Sequence, residues 1–139
     1  MNPPHAVLES LSREECTTLL AQHRFGRVSV VVDGQPLVFP VNYAYTGSQI
    51  VFRTDRGTKL HGAVGNKVAF EIDGVDATYH DGWSVLVIGT AFEETDPHRL
   101  TTLKALPLAP WTAGAKDHWV CIRASAISGR RITHEGVMR

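Results

Sequence analysis

Cysteine is scarce in this chain, and the two that occur, Cys16 and Cys121, stand apart rather than in a CxxC pair. Two isolated thiols make neither a disulfide framework nor a tetrahedral metal site, so both are read as packing residues in a reducing compartment. Charge of one sign is also lacking: fourteen basic and fourteen acidic residues cancel, and no block of like charge occurs. Without a basic stripe the electrostatic footprint of a nucleic-acid binder is missing, and nucleic acid is not an expected partner. No apolar run reaches membrane-spanning length, and the opening MNPPHAVLESLSREE lacks the basic start and apolar core of a signal peptide. A soluble, cytoplasmic protein with no membrane partner is expected. The seven histidines include no pair at i, i+3 or i, i+4, so no metal site is expected. No nucleophile stands with an evident base, which argues against a hydrolase.

What is present reads as one domain over residues 1–139, with an ordered core expected from about 11 to 128. Ser12 followed by Glu15 is a capping box, so a helix starts there. Cys16, Leu19, Leu20 and His23 form its inward face, and Arg13, Gln22 and Arg24 face water. From Arg27 the chain turns rich in β-branched and aromatic residues, broken at Asp33-Gly34 and Thr46-Gly47-Ser48, which predicts three consecutive antiparallel strands. Alternation in VFPVNYAY sets Val38, Pro40, Asn42 and Ala44 on one face and Phe39, Val41, Tyr43 and Tyr45 on the other. Pro40 cannot donate to a ladder, so that strand is expected at an edge or a bulge.

Thr58 is expected to cap a short helix whose buried side is Leu60, Ala63 and Val64, ended by Gly65-Asn66. KVAFEID and WSVLVIGTAFEET follow as strands separated by the loop GVDATYHDG. Asp96-Pro97 starts a helix to about Lys104, LPLAPWTAG reads as a loop, and HWVCIRASAISG is the last strand. The tail RRITHEGVMR carries no pattern that demands order. The result is a mainly β fold: a six-stranded antiparallel split β-barrel with a few short helices.

The stretch VFRTDRGTKL holds Arg53, Thr54, Arg56, Gly57 and Lys59 where a strand becomes a helix. Outward N–H groups, a glycine and fixed cations suit a phosphate, although the residues alone read equally well as a solvated loop. Tyr79-His80-Asp81 offers His80 as a substrate contact or proton donor, or as an exposed loop histidine. Trp83 suits ring stacking or interface packing, and Trp111 has no assigned role.

Read together, PVNYAY, IVFRT with GTKL, KVAFEID and WSVLVIGTAFEE resemble the split-barrel FMN-binding proteins related to pyridoxamine 5′-phosphate oxidase. The similarity is to the short members that include nitroimidazole-resistance reductases. It runs from about Leu11 to Val120. The resemblance implies that a flavin ring lies against Pro40, Val41 and Asn42. Phe52, Arg53 and Thr54 would line the ring and ribityl chain. Lys59, beside Leu60, would hold the phosphate, and Trp83, Ser84 and Val85 would approach from a partner subunit. It further implies FMN as cofactor, with F420 as an alternative. The expected activity is an oxidoreductase passing hydride or electrons to a small-molecule substrate, with a reduced nicotinamide as the candidate source. A non-catalytic flavin or haem carrier is the second reading. A homodimer with sites shared between its chains is expected, because the apolar strand WSVLVIGTAF exceeds what a one-sided barrel strand requires.

Overall fold

The computed structural model describes residues 5–108 and 117–134. In chain order its elements are β1 (Ala6–Ser10), α1 (Arg13–Gln22), β2 (Phe25–Val32), β3 (Gln35–Asn42), β4 (Ala44–Tyr45), β5 (Gln49–Thr54), α2 (Thr58–Ala63), β6 (Lys67–Asp76), β7 (Asp81–Glu93), α3 (Pro97–Lys104) and β8 (His118–His134). They form one antiparallel sheet of eight strands, ordered β3-β2-β6-β7-β8-β5-β4 with β1 added beside β8. The strands β3 and β4 are neighbours in sequence yet lie at opposite ends of this order, so the sheet must curl toward closure. The architecture is the split barrel expected.

Two local events raise the strand count from six to eight. The strand carrying Pro40 breaks at Tyr43, whose N–H donates instead to the Arg24 carbonyl at 2.9 Å. Its hydroxyl donates to the Leu20 carbonyl at 2.7 Å and its ring meets Phe70 edge-on, which pins the break inside the core. Burial pushes the Tyr43 phenol well above its ordinary range, so it stays a neutral donor. The second event is β1, which pairs with β8 from Ala6↔His134 to Ser10↔Arg130. The segment Arg130 to His134 is therefore a strand, against the expectation of a tail without order. Its partners lie about fifty residues away in β7 and over a hundred away in β1, and leave no local pattern.

The alternation holds along β3, but Ala44, expected on the face of Val38 and Pro40, is buried beyond the break at Tyr43. Val41 and Tyr43 are buried in the main core, with Phe39 and Tyr45 packed against it, while Val38 and Pro40 face out. The β2–β3 connection is a two-residue turn with positive φ at Asp33 (51°) and Gly34 (77°), the left-handed pair that matches strand twist. The expected loop between β6 and β7 shrinks to Ala77–His80, because Gly74–Asp76 and Asp81–Gly82 join the ladder. The register of β7 against β8 slips at Ile88/Gly89, leaving Ser125 outside the pairing with its hydroxyl on the Ile88 carbonyl. A side chain at Gly89 would stand 2.2 Å from the Arg123 carbonyl, so only glycine fits this bulge.

The main core fills the barrel with Val28, Val30, Ile50, Phe52, Phe70, Ile72, Val85, Val87, Val120 and Ile122. α1 lays Cys16 and Leu20 across one end. Its start is the expected capping box: the Glu15 N–H donates to Ser12 Oγ and the Ser12 N–H to Glu15 Oε1. That backbone donation, ahead of Arg131, holds the Glu15 carboxyl below its ordinary range, so the box persists into mild acid and is lost as pH falls further. Ser12→Ala is expected to destabilise the fold by about 1 kcal/mol, read as a lower thermal midpoint.

A second, smaller core lies outside the barrel wall, where Leu103 of α3 covers Val51, Trp119 and Cys121. Burial pushes the Cys121 thiol up to about 11 and also raises that of Cys16. Neither thiol is expected to react with a thiol-labelling reagent until the protein unfolds, so labelling should coincide with loss of circular dichroism in a denaturant series. Among the described residues no helix is long and apolar enough to cross a membrane.

Candidate functional site

The barrel is split along β3, which among the described residues pairs with β2 alone. Pro40 lies on this strand, so the reading of it as an edge residue is correct. Across the opening lie the end of β5 and the start of α2. Gly57 caps α2 at φ 156° and ψ −163°, a combination essentially restricted to glycine, and no side chain caps the helix. Thr58, expected as the cap, is instead the first helical residue. Val64, expected on the buried side, is exposed because it leaves the helix to bridge Ala91, while Gly62 and Ala63 pack inward. A side chain at Gly62 would strike Val30 and Val32, so this glycine seats α2 directly on β2.

On this platform Lys59 reaches over the ring of Phe39, with Nζ 5.8 Å from its centroid. Leu60 packs against the main core alongside. The result is an apolar strip flanked by a cation and an uncapped helix start. Arg53 lies 4.9 Å above the Trp119 ring, its cross-strand partner. Thr54 is fully buried, and its hydroxyl donates to the Asp55 carbonyl at 3.2 Å. Val41 and Phe52 point into the core, so these positions can meet a ligand only through backbone. Asn42 is half-buried at the end of β3.

The second group of expected contacts lies elsewhere. Trp83 is paired with Gly74 and Arg131 at the far end of the β6–β7 hairpin. A side chain at Gly74 would stand 2.5 Å from its indole nitrogen, so the glycine lets the ring lie flat on the strand. The ring also contacts that of His23, tilted to it with centroids 4.9 Å apart. Val85 faces the core, whereas Ser84 is half-buried on the outer face. His80 is exposed in the β6–β7 turn at φ 56°, its ring edge-on to His134 at 6.2 Å. His134 in turn meets Asp81 at 3.4 Å. Among the described residues no three His, Cys, Asp or Glu side chains gather as they would around a metal. Trp111 lies outside the described residues.

One chain thus builds the expected site as two separate halves. Sequence reasoning missed Phe39 and His23 as the ring partners of Lys59 and Trp83. Phe39 had only its place on the inward face to mark it, and His23 only its place at the end of α1.

Among the described residues no helix covers the outer face of β2, β3, β6, β7 and β8. Val31 and Val38, about 60% exposed, and Leu86 and Val75 at 40% and 80% lie on it. On this face the Arg27 guanidinium is held 3.1 Å from both Glu71 and Asp73. Burial, followed by Asp73, raises the Glu71 carboxyl. A free surface rarely keeps so many large apolar side chains on one face.

Residues 12–131 match the family model described as pyridoxamine 5′-phosphate oxidase. The uncharacterized protein Rv0080 of Mycobacterium tuberculosis is 35% identical over 128 residues, 88% of this chain and 84% of its own length. The solved FAD binding protein from Mycobacterium smegmatis is 40% identical with a TM-score of 0.80, covering 90% of this chain and 98% of that one. An FAD-binding protein from Mesorhizobium loti is 26% identical with a TM-score of 0.75, covering 93% and 99%.

Proposed function

Because the chain belongs to the pyridoxamine 5′-phosphate oxidase family, we propose that it is a flavin-dependent oxidoreductase working as a homodimer, each flavin held between two chains. The observation that carries this reading is the division of the site. Lys59, Phe39 and the start of α2 suit the phosphate end of a nucleotide, and Trp83 with Ser84 suits a ring pocket, but they stand at opposite ends of one barrel. A second chain laid on the bare outer face supplies the missing half and covers Val31, Val38 and Leu86.

The residues fit a flavin nucleotide by their chemistry. Gly57 leaves open space at the helix start, Lys59 brings a charge to it, and Phe39 with Leu60 offers an apolar strip. That two similar solved proteins are FAD-binding favours FAD over the FMN that the motifs suggest. When bound, a flavin accepts a hydride or single electrons and passes them on. This chain would orient the ring, grip the phosphate and exclude water, with reduced nicotinamide as the electron source.

The test is the visible spectrum of the purified protein, identification of any released chromophore, and the oligomeric state in solution. A dimer carrying flavin that reduced nicotinamide bleaches anaerobically supports the reading. A flavin that reduced nicotinamide cannot bleach favours a carrier. Selective binding of F420 replaces the cofactor assignment, and a colourless monomer that takes up no flavin overturns the proposal.

A further inference from the structure

We propose that the groove between the β6–β7 hairpin and the paired ends of β8 and β1 binds a small apolar organic anion. The groove has a volume of about 640 Å³, within the size range of small-molecule sites, and is lined chiefly by Leu8, Val75, Trp83, His80, Arg130 and Ile132. Its floor follows from the register. Val75, Gly82, Ile132 and Leu8 lie in one row across four strands, so their side chains share a face. Gly82 leaves a gap in that row between Val75 and Ile132. Val75 is 80% exposed and Leu8 60% within one chain, so both offer apolar walls to the groove.

The charge of the groove comes from the next row, Asp73, Ser84, Arg130 and Ser10. Nearby carboxylates are already engaged: Asp73 by Arg27 at 3.1 Å, Asp81 by His134 at 3.4 Å, and Glu15 by Arg131 at 3.3 Å. Arg130 has two serines as cross-strand neighbours and no carboxylate partner among the described residues. An unpaired guanidinium beside an apolar trough selects a ligand with an apolar body and one anionic group, and Ser84 and Ser10 place further donors next to it. Because Trp83 and Ser84 belong also to the proposed ring pocket, this anion is the substrate of the flavin. That role rests on the proposed function, whereas the binding itself does not.

The probes are 2-naphthoate and its neutral analogue 2-naphthamide, titrated calorimetrically into the protein as purified. Naphthoate is expected to bind about ten- to a hundredfold more tightly, the range of one charge-assisted hydrogen bond. Arg130→Gln should remove the preference without changing flavin content, and Val75→Ser, at an exposed position, should weaken both probes together. Equal binding of the two probes, or a preference that survives Arg130→Gln, overturns the proposal. Release of flavin in proportion to naphthoate bound also overturns it, because the groove would then belong to the cofactor. A flavin-free protein that still prefers naphthoate through Arg130 leaves this site standing while the proposed function fails.

Discussion

Lys59→Ala is expected to weaken FAD and FMN binding by about ten- to a hundredfold while leaving riboflavin nearly unaffected, since only the nucleotides carry phosphate. Two features of the site set the size of this loss. The side chain stands at the start of α2, whose first-turn amides have no side-chain cap and so add their own partial positive charge to the same place. Those amides remain in the variant, so phosphate binding falls without vanishing. Lys59 also lies over Phe39, and the loss of that contact would loosen the apolar strip and weaken all three ligands alike. The ratio between nucleotide and riboflavin losses separates the two roles: equal losses would mean that Lys59 serves the apolar strip rather than the phosphate. Lys59→Arg keeps the charge and should retain most of the nucleotide preference. Fluorescence titration of the apoprotein with each ligand measures all of these quantities.

The strands that built the barrel were legible because each carries a local mark: alternation in β3, the Asp33-Gly34 turn, the Ser12–Glu15 box and the Asp96-Pro97 start of α3. What escaped the sequence depended on partners distant along the chain. β1 is a strand because β8 runs beside it, and its pattern of one half-buried residue among exposed ones leaves no alternation to read. Gly57 rather than Thr58 caps α2 because the chain needs a glycine-only backbone conformation to turn from β5 into the helix. The cluster proposed to hold the phosphate stands out in the sequence because its cations and glycine are contiguous. Arg130 does not, because its significance lies in having serines across from it on two strands and in Asp73, Asp81 and Glu15 being engaged elsewhere. Val41, Phe52 and Val85 show the complementary limit: a family resemblance marks a strand as near the ligand, but the pleat decides which of its side chains face inward.

Mixing two damaged chains should restore half of the cofactor sites. If one chain supplies Lys59 and the other supplies Trp83 and Ser84 to each flavin, a homodimer of either variant has two impaired sites. A heterodimer of a Lys59→Ala chain with a Trp83→Ala chain gathers both lesions into one site and leaves the other intact, so its titration should show one high-affinity flavin per dimer. Trp83 packs on Gly74, His23 and the edge of the core, so its truncation also costs stability. Ser84→Trp provides the independent arm, since it adds bulk at a half-buried outer position while leaving the packing of Trp83 in place. Co-expression with two different tags isolates the mixed dimer, and thermal unfolding shows whether each variant is folded before it is titrated. Sites built within single chains would behave differently: each chain would keep its own lesion, and the mixed dimer would bind no better than the average of its parents. That result with both the Trp83 and the Ser84 variants, in folded and verified heterodimers, would rule out sharing. Recovery with the Ser84 variant alone would keep the shared site and assign the Trp83 effect to folding.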